Sequence, residues 1–302
     1  KNLAFLYLKL EKETEDYADI IPVFSRKRRL KVGTLKVDYN GFRLGERFLK
    51  IAFDNALKMK VDELYVTIFK KRLEQERLIN LLESYGFAYW GNKGTSGELV
   101  YVRDFTPAFD VSNPRKTFPY ISSAQSIFLV PIKPDYHTDL LPDSILKTES
   151  PSDFEENEPF RNAISKIYIT RSLEKNIKRG DVIIFYRTGG YYLSVVTTLA
   201  IVEEAKTNIK DQEEFVRFCG NRSVFSTEKL IEWWNCNSKI RPFIVSFLYA
   251  YSFPKRINMK SLIDLKVIAG VDSAPRGFTR ISIDHFRAIV KETNTDASII
   301  VY

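Results

Sequence analysis

Between Arg28 and Phe69 the spacing of hydrophobic residues changes period twice. Leu30, Val32, Leu35 and Val37 stand among polar neighbours and predict a half-buried strand. Leu44, Phe48, Ile51, Ala52 and Ala56 then recur on one face at helical spacing, which predicts an amphipathic helix. Asp62–Phe69 (DELYVTIF) reads as a further strand, Leu78–Phe87 (LINLLESYGF) as a helix and Gly97–Asp104 (GELVYVRD) as a late strand. Asn40-Gly41-Phe42-Arg43-Leu44-Gly45 joins the first strand to the first helix. A glycine-containing loop that enters a helix exposes unpaired backbone N–H groups and the positive end of the helix dipole, so an anion is expected there.

Periodicity is lost over Phe105–Phe118 (FTPAFDVSNPRKTF), which predicts a domain over residues 1–110, a linker over 111–125 and a second domain over 126–302. Ser126–Lys133 (SIFLVPIK) is the first strand of that second domain. Pro134–Pro159 holds four prolines, eight acidic residues and one basic residue, and is expected to be a long solvated loop or lid. From Lys166 the pattern turns β-rich: KIYITRS, DVIIFYR, YYLSVVTTLAIVEEA and RPFIVSFLYAYSF carry β-branched and aromatic residues in strand-like runs. Gln212–Phe218, Thr227–Trp234 and Ile283–Lys291 predict short helices, the last with Asp284 in its first turn. The predicted fold class is α+β: a mixed α/β domain followed by a β-rich domain built on a strongly curved mixed sheet.

Length and composition fit that division. A chain of 302 residues, 44% hydrophobic and 14% aromatic, suffices for two cores. No run of about 18 apolar residues predicts a membrane span, and the start, KNLAFLYLKLE, lacks a small-residue cleavage pattern, so a cytoplasmic protein is expected. The formal charge of +8 points to polyanions, although the surplus is not a tail: residues 1–110 hold 20 basic and 16 acidic residues. Arg26, Lys27, Arg28, Arg29 and Lys31 form the densest basic cluster, read either as a solvated edge or as an anion contact. Two cysteines, Cys219 and Cys236, and two histidines, His137 and His285, lack metal-ligand spacing; reduced thiols and no structural metal are expected.

The segment around the glycine loop resembles the cofactor-binding core of the GNAT acetyltransferases, over about 75 residues in matching order. The resemblance implies acetyl-CoA as cofactor, held by Leu35, Val37, Gly41, Phe42, Arg43, Leu44, Gly45 and Glu46. On the family's Arg/Gln-x-x-Gly-x-Gly/Ala loop, Asn40 takes the first position, Arg43 the middle glycine, and Gly45 alone fits. The position of the family's acid tyrosine is Leu82, with Tyr85 one residue before Gly86. Catalytic residues are therefore unknown. The elements that open a complete GNAT domain are not found before this segment, so a fragment of a longer polypeptide is expected.

Lys178-Arg179-Gly180-Asp181-Val182-Ile183-Ile184-Phe185-Tyr186-Arg187, followed by Val195–Glu203, is similar to the ASCH and EVE members of the PUA-like superfamily. That resemblance implies a small pseudo-barrel over Phe128–Val290 and a partner that is RNA or a modified nucleotide. Together the halves resemble bacterial proteins in which a PIN-type nuclease domain precedes a GNAT and an ASCH domain. Some ASCH proteins hydrolyse acylated cytidine with a Lys, Thr and Glu trio; Lys166, Thr170 and Glu174 match it with one residue too many between the first two.

In a small barrel the strand ends line the mouth. Lys133, Tyr136 and His137 leave one strand, Arg171 and Ser172 close a second, and Arg187 and Thr188 close a third, so these seven are the candidate nucleic-acid or ligand residues. Guanidinium groups suit phosphate, and Tyr136, Tyr186 or Trp233 suit a stacked base. Arg222, Arg276 and Arg280 read as fold-stabilising or surface cations. Two functions follow: an N-acyltransferase coupled to an RNA- or nucleotide-binding domain, or a non-catalytic GNAT-like scaffold or CoA sensor whose partner domain recognises nucleic acid for a nuclease.

Overall fold

The computed structural model describes residues 4–37, 43–146 and 158–302. The fold is α+β and divides into two compact units, Lys1–Pro119 and Tyr120–Tyr302.

In the first unit six strands form one sheet: β1 (Ala4–Glu11), β2 (Ile20–Ile21), β3 (Arg29–Val37), β4 (Glu63–Ile68), β5 (Ala88–Lys93) and β6 (Glu98–Asp104), in the order β1-β3-β4-β6-β5-β2. β3 and β4 are parallel, as their connection through the 16-residue helix α1 (Leu44–Met59) requires; the other pairs are antiparallel. Helices α2 (Leu73–Ser84) and α3 (Pro114–Thr117) complete the unit. Its core is aromatic. Phe53 of α1 is fully buried, with the rings of Tyr85, Phe87, Phe105 and Phe118 5.5 to 6.2 Å away.

The chain is anchored on either side of residue 119, within the stretch expected to be a linker. Phe105 and Phe118 are buried in the first unit, and Ile121 is fully buried in the second, where it pairs with Ile300. The segment lacks periodicity because single anchors hold it. A correction concerns the start of the chain: Ala4–Glu11 form β1, antiparallel to β3, although this apolar run carried no strand assignment.

The second unit contains β7 (Ile121–Ser122), β8 (Ile127–Ile132), β9 (Ser165–Thr170), β10 (Val182–Arg187), β11 (Val195–Lys206), β12 (Phe243–Ser252), β13 (Thr279–Ile281) and β14 (Ile300–Val301). Six form a mixed sheet in the order β13-β8-β10-β11-β12-β9, with β8 and β10 parallel, while β7 and β14 make a separate parallel pair. Helices α4 (Pro134–Leu140), α5 (Pro159–Asn162), α6 (Gln212–Cys219), α7 (Thr227–Asn235), α8 (Met259–Asp264) and α9 (Ile283–Glu292) surround it. The core gathers Phe128, Val130, Phe185, Val202, Val245 and Phe247, alternate inward residues of four strands.

The two ends of this sheet meet. The Tyr168 hydroxyl of β9 donates to the Pro131 carbonyl of β8. The Phe278 N–H donates to Ser172 Oγ at 3.0 Å, and the rings of Tyr168 and Phe278 lie 6.0 Å apart. Gly277 permits this seam: a Cβ there would stand 2.6 Å from Ser172 Oγ and 3.0 Å from Ser172 Cβ.

Residues 134–146, the described start of the predicted loop, are not the solvated chain that its prolines and acids suggested. Pro134 sits at the first helical position of α4, where its missing N–H costs nothing and its fixed φ helps. His137, Thr138, Leu140, Leu141 and Ser144 are buried, and residues 147–157 lie outside the described residues.

Candidate nucleic-acid interface

A cavity of about 430 Å³ opens at the seam of the second unit. The end of β8 supplies Pro131, Ile132 and Lys133, and α4 adds Tyr136 and Leu140. Opposite, the end of β9 supplies Thr170, Arg171 and Ser172, with Thr188 following β10. Ser223–Phe225, Trp233 of α7, Pro275 and Arg276 complete the wall. None of these lining residues is acidic.

The wall has an aromatic side and a polar side. Tyr136 and Phe225 meet edge to face at 4.8 Å between centroids, and Phe225 lies 5.6 Å from Trp233. Among the polar groups, Thr188 is fixed by its N–H and hydroxyl, which donate to the Ile132 carbonyl at 2.9 and 3.3 Å. Ser172 is tied into the seam through Phe278 and donates its own N–H to Thr170 Oγ1 at 3.1 Å. Lys133 and Arg276 are exposed at the rim.

Arg171 has a different part. Its Nε donates to the Ile240 carbonyl at 3.0 Å, and its Nη2 donates to the Trp233 carbonyl and to Cys236 Sγ at 2.8 Å. The guanidinium also lies over the Trp233 ring, 4.8 Å from the centroid. A planar fork with several donors can tie one strand end to a distant turn in this way. Arg171 thus fastens the aromatic wall to β9.

Of the seven candidate residues, Lys133, Tyr136, Arg171, Ser172 and Thr188 line this cavity; His137 and Arg187 do not. His137 turns inward, because one residue along a helix rotates the side chain by about 100° from Tyr136. It is fully buried, and its Nε2 lies 2.9 Å from Thr197 Oγ1. Burial, and then the charges of Arg187 and Arg256, push its pKa down to about 3, so the ring is neutral. Tyr186, a proposed stacking residue, is 1% exposed and therefore not available to a ligand.

The Lys-Thr-Glu trio is not assembled. Lys166 is fully buried and donates to the Phe160 and Arg161 carbonyls at 2.5 and 3.1 Å, while Glu174 accepts the Asn176 N–H at 2.7 Å. Only Thr170 of the three lines the cavity. Ser223, Phe225 and Arg276 were missed as site residues, and no local signal marks them: each lies in an aperiodic stretch that tertiary folding brings to the mouth.

In the first unit, Gly41 and Phe42 lie outside the described residues. Leu35 and Val37 are on β3, paired with Leu6 and Ala4. Arg43 precedes α1 in the left-handed conformation, φ 54°, and donates to Glu46 Oε1 at 2.7 Å; Leu44 and Gly45 stand in the helix's first turn. Leu82 and Tyr85 are both buried, each 1% exposed. The basic cluster is divided: Arg29 is buried and donates to Glu63 at 2.8 Å, Lys27 reaches the other oxygen of Glu63 at 2.5 Å, and Arg26 and Arg28 are exposed. Both cysteines are free thiols, Cys219 buried and Cys236 exposed. No helix among the described residues is long and apolar enough to cross a membrane.

No protein-family model and no curated protein matches the chain. Among solved structures, the ASCH protein of Zymomonas mobilis is similar at 11% identity and a TM-score of 0.39, covering 55% of this chain and 94% of its own. A hypothetical protein from Leishmania major has 10% identity and a TM-score of 0.36, over 56% of this chain and 95% of its own. Human THYN1, in complex with DNA containing 5-methylcytosine, has 12% identity and a TM-score of 0.34, over 57% and 99%. These TM-scores are below 0.5, and the choice of ligand rests on the cavity itself.

Proposed function

We propose that the second unit binds nucleic acid by taking one unstacked base into the seam cavity, with the adjoining phosphates held by Lys133 and Arg276. One observation carries this reading: Tyr136, Phe225 and Trp233 share the cavity with three cations and several hydroxyls, and among the described residues no carboxylate lines it. Base–aromatic stacking is worth roughly 1 to 3 kcal/mol per base, and phosphate contacts add a salt-dependent attraction. The volume falls within the range of about 300–1,000 Å³ usual for small-molecule sites.

The test is titration of the full chain with labelled single-stranded RNA, DNA and DNA containing 5-methylcytosine across a salt series. Affinity is expected to fall linearly on a log–log scale. Absence of binding to all three at low salt would overturn the reading.

For the first unit, the Arg43–Glu46 pair favours the non-catalytic alternative over acyl transfer. A carboxylate in the first turn of α1 already neutralises the nearest guanidinium and opposes a CoA pyrophosphate. Buried Leu82 offers no proton.

A further inference from the structure

The first unit has a second cavity of about 430 Å³, bounded by the end of β1, the 12–19 loop, β3, β4 and β5. Among the described residues, three lysines and four carboxylates line it. Six of these seven groups are held by neighbours. Glu11 accepts from the hydroxyls of Tyr65 at 2.7 Å and Tyr17 at 3.1 Å, and Lys9 bridges Glu11 and Glu15 at 3.2 and 2.6 Å. Asp16 accepts the Ala18 N–H at 2.9 Å, and Lys93 pairs with Asp19 at 3.3 Å.

Lys31 is the seventh. Among the described residues no carboxylate lies within ion-pair distance of it. The strand register places it between Lys9 of β1 and Tyr65 of β4, so three side chains share one face in a row. Its amine lies 5.6 Å from the Tyr65 ring centroid, and Lys93 lines the same cavity. A half-buried amine paired across the strands with the Lys9 ammonium, and with no carboxylate at ion-pair distance, has the surroundings that make lysine nucleophilic. Burial first, then Lys93, with a smaller part from Lys9, lower its pKa below the usual lysine value, and Glu11 opposes them.

We infer that Lys31 is a nucleophilic amine and that this cavity captures a small polar aldehyde or ketone as an imine. The Nζ lone pair forms a bond to the carbonyl carbon while the C=O π pair moves to oxygen. That oxygen then gathers the two protons lost by nitrogen and leaves as water, so atoms and charge balance without an oxidant or reductant. The Lys93 ammonium, which lines the same cavity, passes protons to the departing oxygen. Tyr65 stays a phenol, because burial and Glu11 raise its pKa, and its hydroxyl donates to Glu11 at 2.7 Å. The charged wall suits a short hydroxylated carbonyl compound rather than an apolar one.

The test uses the full chain, limiting glycolaldehyde and cyanoborohydride to trap the imine, with lysines ranked by peptide mass mapping. At pH 7 Lys31 is expected to be modified severalfold faster than exposed Lys70, because its lowered pKa leaves more of it as free amine. Lys93→Met should slow Lys31 and move its pH profile upward. Equal rates at Lys31 and Lys70, or an unchanged profile in a folded Lys93→Met, would overturn the inference. The wild-type ranking decides alone if that variant does not fold.

Discussion

The guanidinium of Arg171 stacks on the ring of Trp233, 4.8 Å from its centroid, while donating to the same residue's carbonyl. One side chain thereby fixes both the position and the tilt of the cavity's largest aromatic. Arg171→Lys keeps the charge but removes the planar fork. It should lower affinity for a short oligonucleotide by roughly 1 to 3 kcal/mol, the value of a stacking contact, and leave the salt slope nearly unchanged. Anisotropy titrations at three salt concentrations check this; a slope reduced by a full phosphate contact would make Arg171 a phosphate ligand instead.

Rim cations should behave in the opposite way. Lys133→Ala and Arg276→Ala should each weaken binding to every sequence alike and reduce the salt slope, by about 0.7 per lost contact on a single strand. Tyr136→Ala should leave that slope alone. Equal slopes in all three variants would show that the rim does not meet phosphate.

The seam makes a packing prediction. Gly277→Ala brings a methyl group to 2.6 Å from Ser172 Oγ and should cost about 1 to 3 kcal/mol, as overpacking does. Ser172→Gly combined with Gly277→Ala should recover part of that loss, since the two sites couple through direct contact. Urea midpoints of the four proteins give the coupling energy.

Acid should destabilise the second unit through His137. The folded pKa, about 3, lies below the ordinary value of 6.5, so the unfolded chain takes up the proton first. The contribution is full above about pH 6.5 and is lost as pH falls toward 3, at up to about 1.4 kcal/mol per pH unit. His137→Gln should flatten the pH dependence of the denaturation midpoint in that window. An unchanged dependence would mean that the ring is already protonated in the folded state.

In the first unit, Glu63 holds both Arg29 and Lys27, and Arg29 is 1% exposed beneath the Phe24 ring at 4.2 Å. Glu63→Gln leaves a buried guanidinium without its counter-charge and should cost about 3 to 5 kcal/mol. Thermal melts of the variant check this, and a loss under 1 kcal/mol would indicate that water or Ser25 suffices for Arg29.

What local chemistry alone determined is most of the longer elements, though not β1 or α4. The alternation of β3 and β4, the helical spacing of α1 and the β-branched runs of β8 to β12 are written within single stretches, because burying one face of an element demands that period. The positions of Lys133, Tyr136, Arg171, Ser172 and Thr188 at strand ends were legible for the same reason. Tertiary structure decided the rest. One step of rotation along α4 separates Tyr136 at the cavity from His137 in the core, and the meeting of β8 with β9 brings Phe225 and Arg276 to residues more than 50 positions away. It also turned Arg171 from a free cation into a fastener and drew Phe118 out of a supposed linker into the Phe53 cluster. These outcomes depend on which distant groups arrive opposite a side chain, and no periodicity within a segment records that.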